Sequence, residues 1–449
     1  MKRRSLLAIV FISSLFSAQA RTFLDEKIHV NKVNDSTYNY NVENVNVETK
    51  DIQYIINNIK NITIDAEDIS NEYYLSEICK SLSVIPLDGI PDELVEQYLS
   101  QQPRFKITDK KIYSSILVKN GTFQEILFRF NKKGHFEYAY DNMYVDPPAF
   151  APRYRNINAD KKGDIYKSSY FDINVINKKG QAYKRYMLPY TSLQGDNNIA
   201  FTKNGMYIYS EPVDEFIVRS NGTRQYLESR AYRLNFFSDD FKLESVMYRS
   251  FADGESIINQ NVFSELKNSY SFYYRMCDTI FSIDKKSNAV SASYCLSFKG
   301  DNTEYLKATG QFDQVVNSGL PPSLQRLYSV SPIIQPNSCA KDIWETNEFI
   351  FIGYKFVHKS NLSTHVLYNK KSSQSLHGTI YNDIFDKNKY YRYPQLNIIG
   401  QNSKYFYIFV RKTKDLKLSE KGLLKLSEKQ IKTIESLADN SYFLLAIEF

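Results

Sequence analysis

Apolar and polar residues alternate in short runs along most of the chain, the period of strands with one face turned to a core. One phrase recurs between such runs: Phe130-Asn131-Lys132-Lys133-Gly134, Ile176-Asn177-Lys178-Lys179-Gly180, Ile283-Asp284-Lys285-Lys286-Ser287 and Tyr368-Asn369-Lys370-Lys371-Ser372. Strand, polar turn with a Gly or Asn able to take positive φ, strand is the pattern of a β-hairpin. The first lysines are 46, 107 and 85 residues apart, which reads as one, two and two repeats of about 43 to 54 residues, the length of a propeller blade. The two gaps predict two degenerate hairpins, one at Arg233–Val246 around Ser238–Asp240 and one near residue 327 in the proline-interrupted SLQRLYSVSPIIQP stretch. The count is six blades. Helical periodicity is scarce: Ser427 and Gln430 form a capping box, and Ile431, Ile434, Leu437 and Ala438 share one helical face, predicting a helix over 427–439. Tyr442–Phe449 reads as a final strand, suited to fasten the last blade to the first.

The fold class predicted is therefore all-β, a six-bladed propeller over residues 62–411, with a C-terminal helix and closing strand over 412–449. Residues 21–61, rich in Asn and Val with Tyr38, Tyr40 and Val42 alternating, read as an N-terminal arm or short strand segment. Residues 1–20 have a basic start at Lys2, Arg3 and Arg4, an apolar stretch from Leu6 to Phe16 and a small-x-small ending at Ala18 and Ala20, the pattern of a secretory signal cut before Arg21. The apolar stretch is too short to span a bilayer, and no Cys lies at the cut for lipid attachment. The expected location is the periplasm or the cell exterior.

Composition changes this picture little. The 449 residues are 43% hydrophobic and 24% charged, enough for a large core and against disorder, and 36 Tyr and 29 Phe favour pleated surfaces. The formal charge of +7 falls when the three basic residues of the signal are removed, leaving 54 basic against 50 acidic residues. Without a block of like charge, a nucleic-acid partner is not expected. Four cysteines, Cys79, Cys277, Cys295 and Cys339, lack metal-ligand spacing. Folding the chain about Lys285–Asn288 brings Cys277 opposite or diagonal to Cys295, compatible with a cross-strand disulfide and equally with two buried thiols.

Several phrases in order resemble the TolB-like six-bladed β-propeller family of exported bacterial proteins, mostly of unassigned function. These are Ile64-Asp65 through Tyr74-Leu75-Ser76-Glu77-Ile78 with Ser83-Val84-Ile85-Pro86-Leu87, then Phe128–Phe136, Cys277–Phe281, Tyr381–Asp386 and the terminal helix plus strand. The resemblance covers about residues 62–449 and implies a propeller in the cell envelope. Two departures stand out. The family's glycine-rich loop ending Gly-Pro-Gly-Glu-Tyr is here Asp146–Tyr154, which keeps proline and tyrosine but loses the glycines and the glutamate, and Asn440-Ser441 replaces the Asn-Pro before the last strand.

No HExxH, GxSxG, phosphate-loop or GxGxxG pattern is present, so no catalytic residue, metal or cofactor is assigned. The mixed aromatic and basic stretch with Tyr138, Tyr140, Tyr144, Phe150, Arg153, Tyr154 and Arg155 lies in a long connection between blades, where flat rings and Arg can hold a sugar, a peptide or an acidic group. Tyr140, Tyr144, Phe150, Arg153 and Tyr154 are one candidate ligand-binding set; Asn382, Asp383 and Arg392 in the late turn region are a second. Against this, tyrosines also pack between blades, and Asx turns use Asn and Asp structurally. The function expected is a monomeric exported binding or scaffold protein that takes a protein, peptide or glycan at one mouth of its channel. The alternatives are a glycan-active hydrolase or lyase using channel carboxylates, for which two converging acids would be needed, and a structural envelope component.

Overall fold

The computed structural model describes residues 28–34, 37–42, 50–56, 58–65, 71–100, 103–120, 122–143, 157–168, 172–177, 179–188, 191–192, 198–210, 212–213, 215–219, 224–226, 231–251, 262–273, 279–299, 340–354, 364–386 and 395–449. Six antiparallel four-stranded units form the blades of a β-propeller. From the axis outward, blade 1 is Arg104–Ile107, Lys111–Asn120, Thr122–Asn131 and Phe136–Met143, and blade 2 is Asn158–Ala159, Ile165–Ser168, Asp172–Ile176 and Ala182–Met187. Blade 3 is Asn198–Thr202, Gly205–Ser210, Ala231–Ser238 and Leu243–Phe251; blade 4 is Phe263–Glu265, Ser269–Tyr273, Thr279–Asp284 and Val290–Lys299. Blade 5 is Ala340–Glu345, Phe349–Tyr354, Thr364–Asn369 and Gln374–Tyr381, and blade 6 is Gly400–Gln401, Phe406–Arg411, Tyr442–Glu448 and Ser81–Leu87.

The core is divided as a ring requires, one apolar cluster in each gap between neighbouring blades. In blade 6, Phe406, Ile408 and Val410 face blade 5 while Tyr407 packs toward blade 1. Both faces of this blade are covered, so its strands read as continuous apolar runs and not as alternation. The first strands of successive blades touch around the axis from blade 2 to blade 6, and that of blade 6 touches that of blade 1.

The recurring phrase has a local physical cause. Its leading Asn or Asp accepts the main-chain N–H two residues on, at 2.7 Å for Asn131, 2.9 Å for Asn177, 2.9 Å for Asp284 and 2.9 Å for Asn369. Each of these four hairpins places one residue at positive φ, Gly134, Gly180, Asn288 and Ser373, and the expected hairpin at Ser238–Asp240 does so at Phe241. The hairpin expected near residue 327 lies outside the described residues. The ring reaches six blades without it, because the sixth joins Tyr442–Glu448 to Ser81–Leu87, from the two ends of the chain. The expected closing strand thus sits beside an N-terminal strand, with Leu444 opposite Ile85.

Before Ser81 the chain runs as a belt along the blades' outer edges. Lys50–Asp51 pairs parallel with blade 3, Tyr54–Ile55 and Lys60–Asp65 with blade 4, and Glu72–Tyr74 with blade 5. After forming the edge of blade 6 it makes one parallel bridge to blade 1, Asp88 to His135. Four helices are present among the described residues: Leu75–Ile78, Asp92–Ser100, Glu420–Lys425 and Glu428–Ser436. The last of these carries the expected Ser427/Gln430 capping box. None is long and apolar enough to cross a membrane. Residues 28–34 and 37–42 form a separate sheet with Glu215–Arg219 and Arg224–Tyr226, strands inserted between the second and third strands of blade 3.

Candidate functional site

Blade topology makes the two ends of the channel unlike. At one end lie the turns joining first to second and third to fourth strands, such as the two-residue link between Thr202 and Gly205. At the other end blades 1, 4 and 5 finish at Met143, Lys299 and Tyr381 and the next blades begin at Asn158, Ala340 and Gly400, so the links between blades start and end there. Such connections are where loop-borne recognition sits on a propeller.

Polar side chains of the innermost strands latch neighbouring blades together. Asn158 Oδ1 of blade 2 accepts the Ile199 N–H of blade 3 at 2.9 Å. Asn198 Oδ1 of blade 3 accepts Val262 N–H beside blade 4 at 3.4 Å. Ser264 Oγ of blade 4 donates to the Ile343 carbonyl and accepts Glu345 N–H from blade 5, at 3.4 and 3.1 Å. These bonds satisfy main-chain groups that the innermost edge of each sheet would otherwise leave unpaired.

Two carboxylates stand at the tight-turn end of innermost strands. Glu265 and Glu345 close the innermost strands of blades 4 and 5, and each meets the first lysine of its own blade's recurring phrase: Lys285 Nζ to Glu265 Oε1 at 3.0 Å, Lys370 Nζ to Glu345 Oε1 at 2.6 Å. The same ammoniums donate to the carbonyls of the next residues, Leu266 at 2.5 Å and Thr346 at 2.7 Å. Blade 1 has Ile107 at the equivalent strand end, and there Lys132 is exposed. Lys106, on the innermost strand of blade 1, is partly buried, and burial pulls its ammonium below the usual lysine range; Glu265 of blade 4 opposes that shift and Lys285 of blade 4 adds to it. Blade 4 stands across the ring from blade 1, so Lys106 feels charges on the far wall of the channel. Glu345 Oε2 and Gln401 Oε1 are buried acceptors without a hydrogen-bond partner among the described residues.

Of the residues singled out from sequence, Tyr140 lies in the apolar gap between blades 1 and 2, 2% exposed, its hydroxyl accepting Arg129 Nη1 at 3.2 Å. It packs between blades there and does not line an open surface. Asn382 Oδ1 accepts Ile384 N–H at 3.3 Å, an Asx turn. Asp383 reaches much further in sequence: its carboxylate accepts Ser76 N–H at 2.8 Å and Ser76 Oγ–H at 2.5 Å, with Lys421 Nζ 3.5 Å away. That carboxylate holds the first turn of helix Leu75–Ile78, so it anchors the belt to blade 5. Asn382 and Asp383 share a turn; Tyr140 is on another blade. Tyr144, Phe150, Arg153, Tyr154 and Arg392 lie outside the described residues, as does Cys277. Cys295 stands opposite Thr279 in blade 4, and Cys79 is a buried free thiol whose pKa burial raises. No group of three or more His, Cys, Asp or Glu side chains able to hold a metal occurs among the described residues. Sequence reading missed Lys106, Glu265 and Glu345, because nothing local distinguishes a charge at a strand end in the channel from one on the rim.

No protein-family model matches the chain, and no curated protein does. Among solved structures, the chain is similar to a protein of Bacteroides fragilis named as exported, with a TM-score of 0.53 and 14% identity over 87% of this chain and 99% of that one. It is also similar to a member of the DUF4221 family from Bacteroides vulgatus, TM-score 0.31 with 10% identity over 82% and 96% of the two chains, and to the WD40 domain of Neurospora crassa Pan2, TM-score 0.34 with 8% identity over 82% and 96%. At 14% identity the likeness to the exported protein is one of fold alone.

Proposed function

We propose that the protein is an exported β-propeller that works by binding, holding a protein, peptide or glycan at the mouth that carries the long connections. The observation behind this reading is the inequality of the two ends. One is closed by tight turns tied down by Lys285 and Lys370; the other carries the interblade links and an added four-stranded sheet. Export draws support from the signal-like residues 1–20 and from the exported neighbour of the same fold. Tyr144, Phe150, Arg153, Tyr154 and Arg392 belong by sequence to links on that end and are its recognition residues in this reading, with Asn382 and Asp383 as the fixed rim beside them.

The test is binding of the protein from Arg21 onward to a panel of oligosaccharides and peptides. A Y144A/R153A/Y154A variant is expected to weaken the best binder about tenfold or more, and K132A/K133A at the opposite end to leave it unchanged. The reverse pattern would overturn the assignment of the mouth. A glycan-cleaving enzyme is the competing reading, since Glu265 and Glu345 close adjacent innermost strands. Each of those carboxylates is already committed to a lysine, an unsuitable neighbour for an acid that must deliver a proton. Release of new reducing ends that stops in E345Q would favour the enzyme.

A further inference from the structure

The recurring phrase carries two lysines, and the fold sends them in different directions. In blades 4 and 5 the first turns inward, Lys285 to Glu265 and Lys370 to Glu345. The second, at Lys133, Lys179, Lys286 and Lys371, has its main-chain N–H held by the Asn or Asp two residues before it. All four of these lysines are exposed, and among the described residues none of their ammoniums has a hydrogen-bond or ion-pair partner. Topology then gathers what the sequence spreads. The eleven tight turns, between first and second strands of all six blades and between third and fourth strands of blades 1 to 5, lie at one end of the ring and are two to five residues long. Neighbouring turns touch: Lys203 N–H donates to the Lys285 carbonyl at 2.8 Å, Asn347 N–H to the Ser403 carbonyl at 2.8 Å, and Ser403 Oγ to Asp109 Oδ1 at 2.9 Å. With the strand residues that flank them, these turns hold sixteen lysines, no arginine and nine acids. The whole chain from Arg21 onward has 54 basic and 50 acidic residues, so the basic excess sits at this end and the rest of the protein is slightly acidic. Lysine ammoniums on flexible stems are point charges and lack the planar fork with which arginine grips one carboxylate or phosphate. Spread over five blades, they do not converge on one small anion, and a linear acidic polymer crosses only part of the ring. A plane of acidic headgroups meets all of them at once, and no turn is long enough to hold it off.

We infer that the tight-turn end is a docking surface for an anionic phospholipid bilayer, held at the headgroups by charge, with the links between blades turned away from it. This surface is opposite the proposed recognition mouth, and either can fail without the other. The test is cosedimentation of the protein from Arg21 onward with vesicles of phosphatidylcholine containing about 30 mol% phosphatidylglycerol, and with vesicles of phosphatidylcholine alone. The acidic vesicles are expected to bind it at about 0.05 M salt and to lose it about tenfold or more by about 0.5 M, and the neutral vesicles to leave it in solution. K133E/K371E, on blades 1 and 5, is expected to weaken binding about tenfold or more. K414E/K417E, at exposed lysines between the second and third strands of blade 6 and so at the other end, is expected to leave binding unchanged. Both variants should keep the parent Tm, which separates lost docking from lost folding. Absence of binding to acidic vesicles, equal binding to neutral ones, or an equal loss in K414E/K417E overturns the proposal. Soluble polyglutamate and polygalacturonate test the other partners: tighter binding to either than to vesicles of the same total charge means an acidic protein or polysaccharide is held here, and overturns it as well.

Discussion

Lys370 Nζ lies 2.6 Å from Glu345 Oε1 and 2.7 Å from the Thr346 carbonyl, so a turn lysine on the outer hairpin of blade 5 is tied to the end of that blade's innermost strand. Glu345 is 5% exposed and Lys370 16% at the side chain. Removing the ammonium strands a buried carboxylate that already has one oxygen without a partner. Lys370→Met is expected to cost about 3 kcal/mol in denaturant unfolding, and adding Glu345→Gln to restore part of it. The matching pair in blade 4 is more open, 24% and 30%. Lys285→Met should therefore cost about 1 kcal/mol. Equal losses in the two blades would show that the strap does not act through burial of the carboxylate.

Asp383 gives the second prediction. It binds Ser76, 307 residues away, through both main chain and side chain. Asp383→Ala leaves the Ser76 N–H without its acceptor and is expected to cost about 1 to 2 kcal/mol. Amide exchange should quicken in 72–78 ahead of the rest of the fold. If binding at the mouth also fails while 72–78 stays protected, Asp383 acts on a ligand and not on the belt.

How much of this was legible depends on the range of the interaction. The hairpins at Asn131, Asn177, Ser238, Asp284 and Asn369 announce themselves because an Asn, Asp or Ser side chain that bonds the turn and a positive-φ residue sit within a few positions of each other. The Ser427 cap is equally local. Blade 6 is not, since Ser81–Leu87 meets Tyr442–Glu448 only in the closed ring, and a repeat count along the chain looks for it near 327. Belt strands such as Lys50–Asp51 and Tyr54–Ile55 are two residues long and carry no periodicity. Asp383 reads as a turn residue because its partner is in another part of the sequence. Tyr140 is the converse, an aromatic with the composition of a binding residue that the interblade gap absorbs.

Acid should weaken the fold in two stages. Burial holds His365 near a pKa of about 4, below the ordinary histidine value of 6.5, and its Nδ1 accepts the Ile380 N–H at 3.1 Å, which requires that nitrogen unprotonated. Between pH 6.5 and about 4 the unfolded chain binds a proton that the fold refuses, so stability falls with falling pH by about 1.4 kcal/mol per unit. Glu448 is held down to about 2 from 4.5, chiefly by hydrogen bonding from Lys80, then by Ser81 and Lys404. Its contribution is present above pH 4.5 and is lost as pH falls toward about 2. Unfolding free energy measured against pH should lose the upper slope in His365→Gln and the lower one in Glu448→Gln. An unchanged profile in either variant refutes that assignment.

Closure of the ring gives the last prediction. Gly134, at φ +87°, sits under the edge strand of blade 6, where a Cβ would lie 1.8 Å from the Pro86 carbonyl oxygen. Beside it, Asp88 N–H donates to the Gly134 carbonyl at 3.2 Å, and His135 Nδ1 lies 2.6 Å from Asp88 Oδ1. A side chain here must displace backbone at the seam where the N-terminal strand passes from blade 6 to blade 1. Gly180 occupies the same turn position in blade 2 at φ +82°, but the nearest obstacle is the Tyr138 hydroxyl at 2.8 Å, the end of a side chain that can move. Gly180→Ala should cost about 1 kcal/mol for the left-handed backbone alone. Gly134→Ala carries that cost and the clash with Pro86, so it should exceed Gly180→Ala by about 2 kcal/mol or more and speed amide exchange in 81–87 and 442–448 first. The two substitutions share backbone geometry and differ in what lies above them; equal effects would mean that the seam at Pro86 contributes nothing to holding the ring closed.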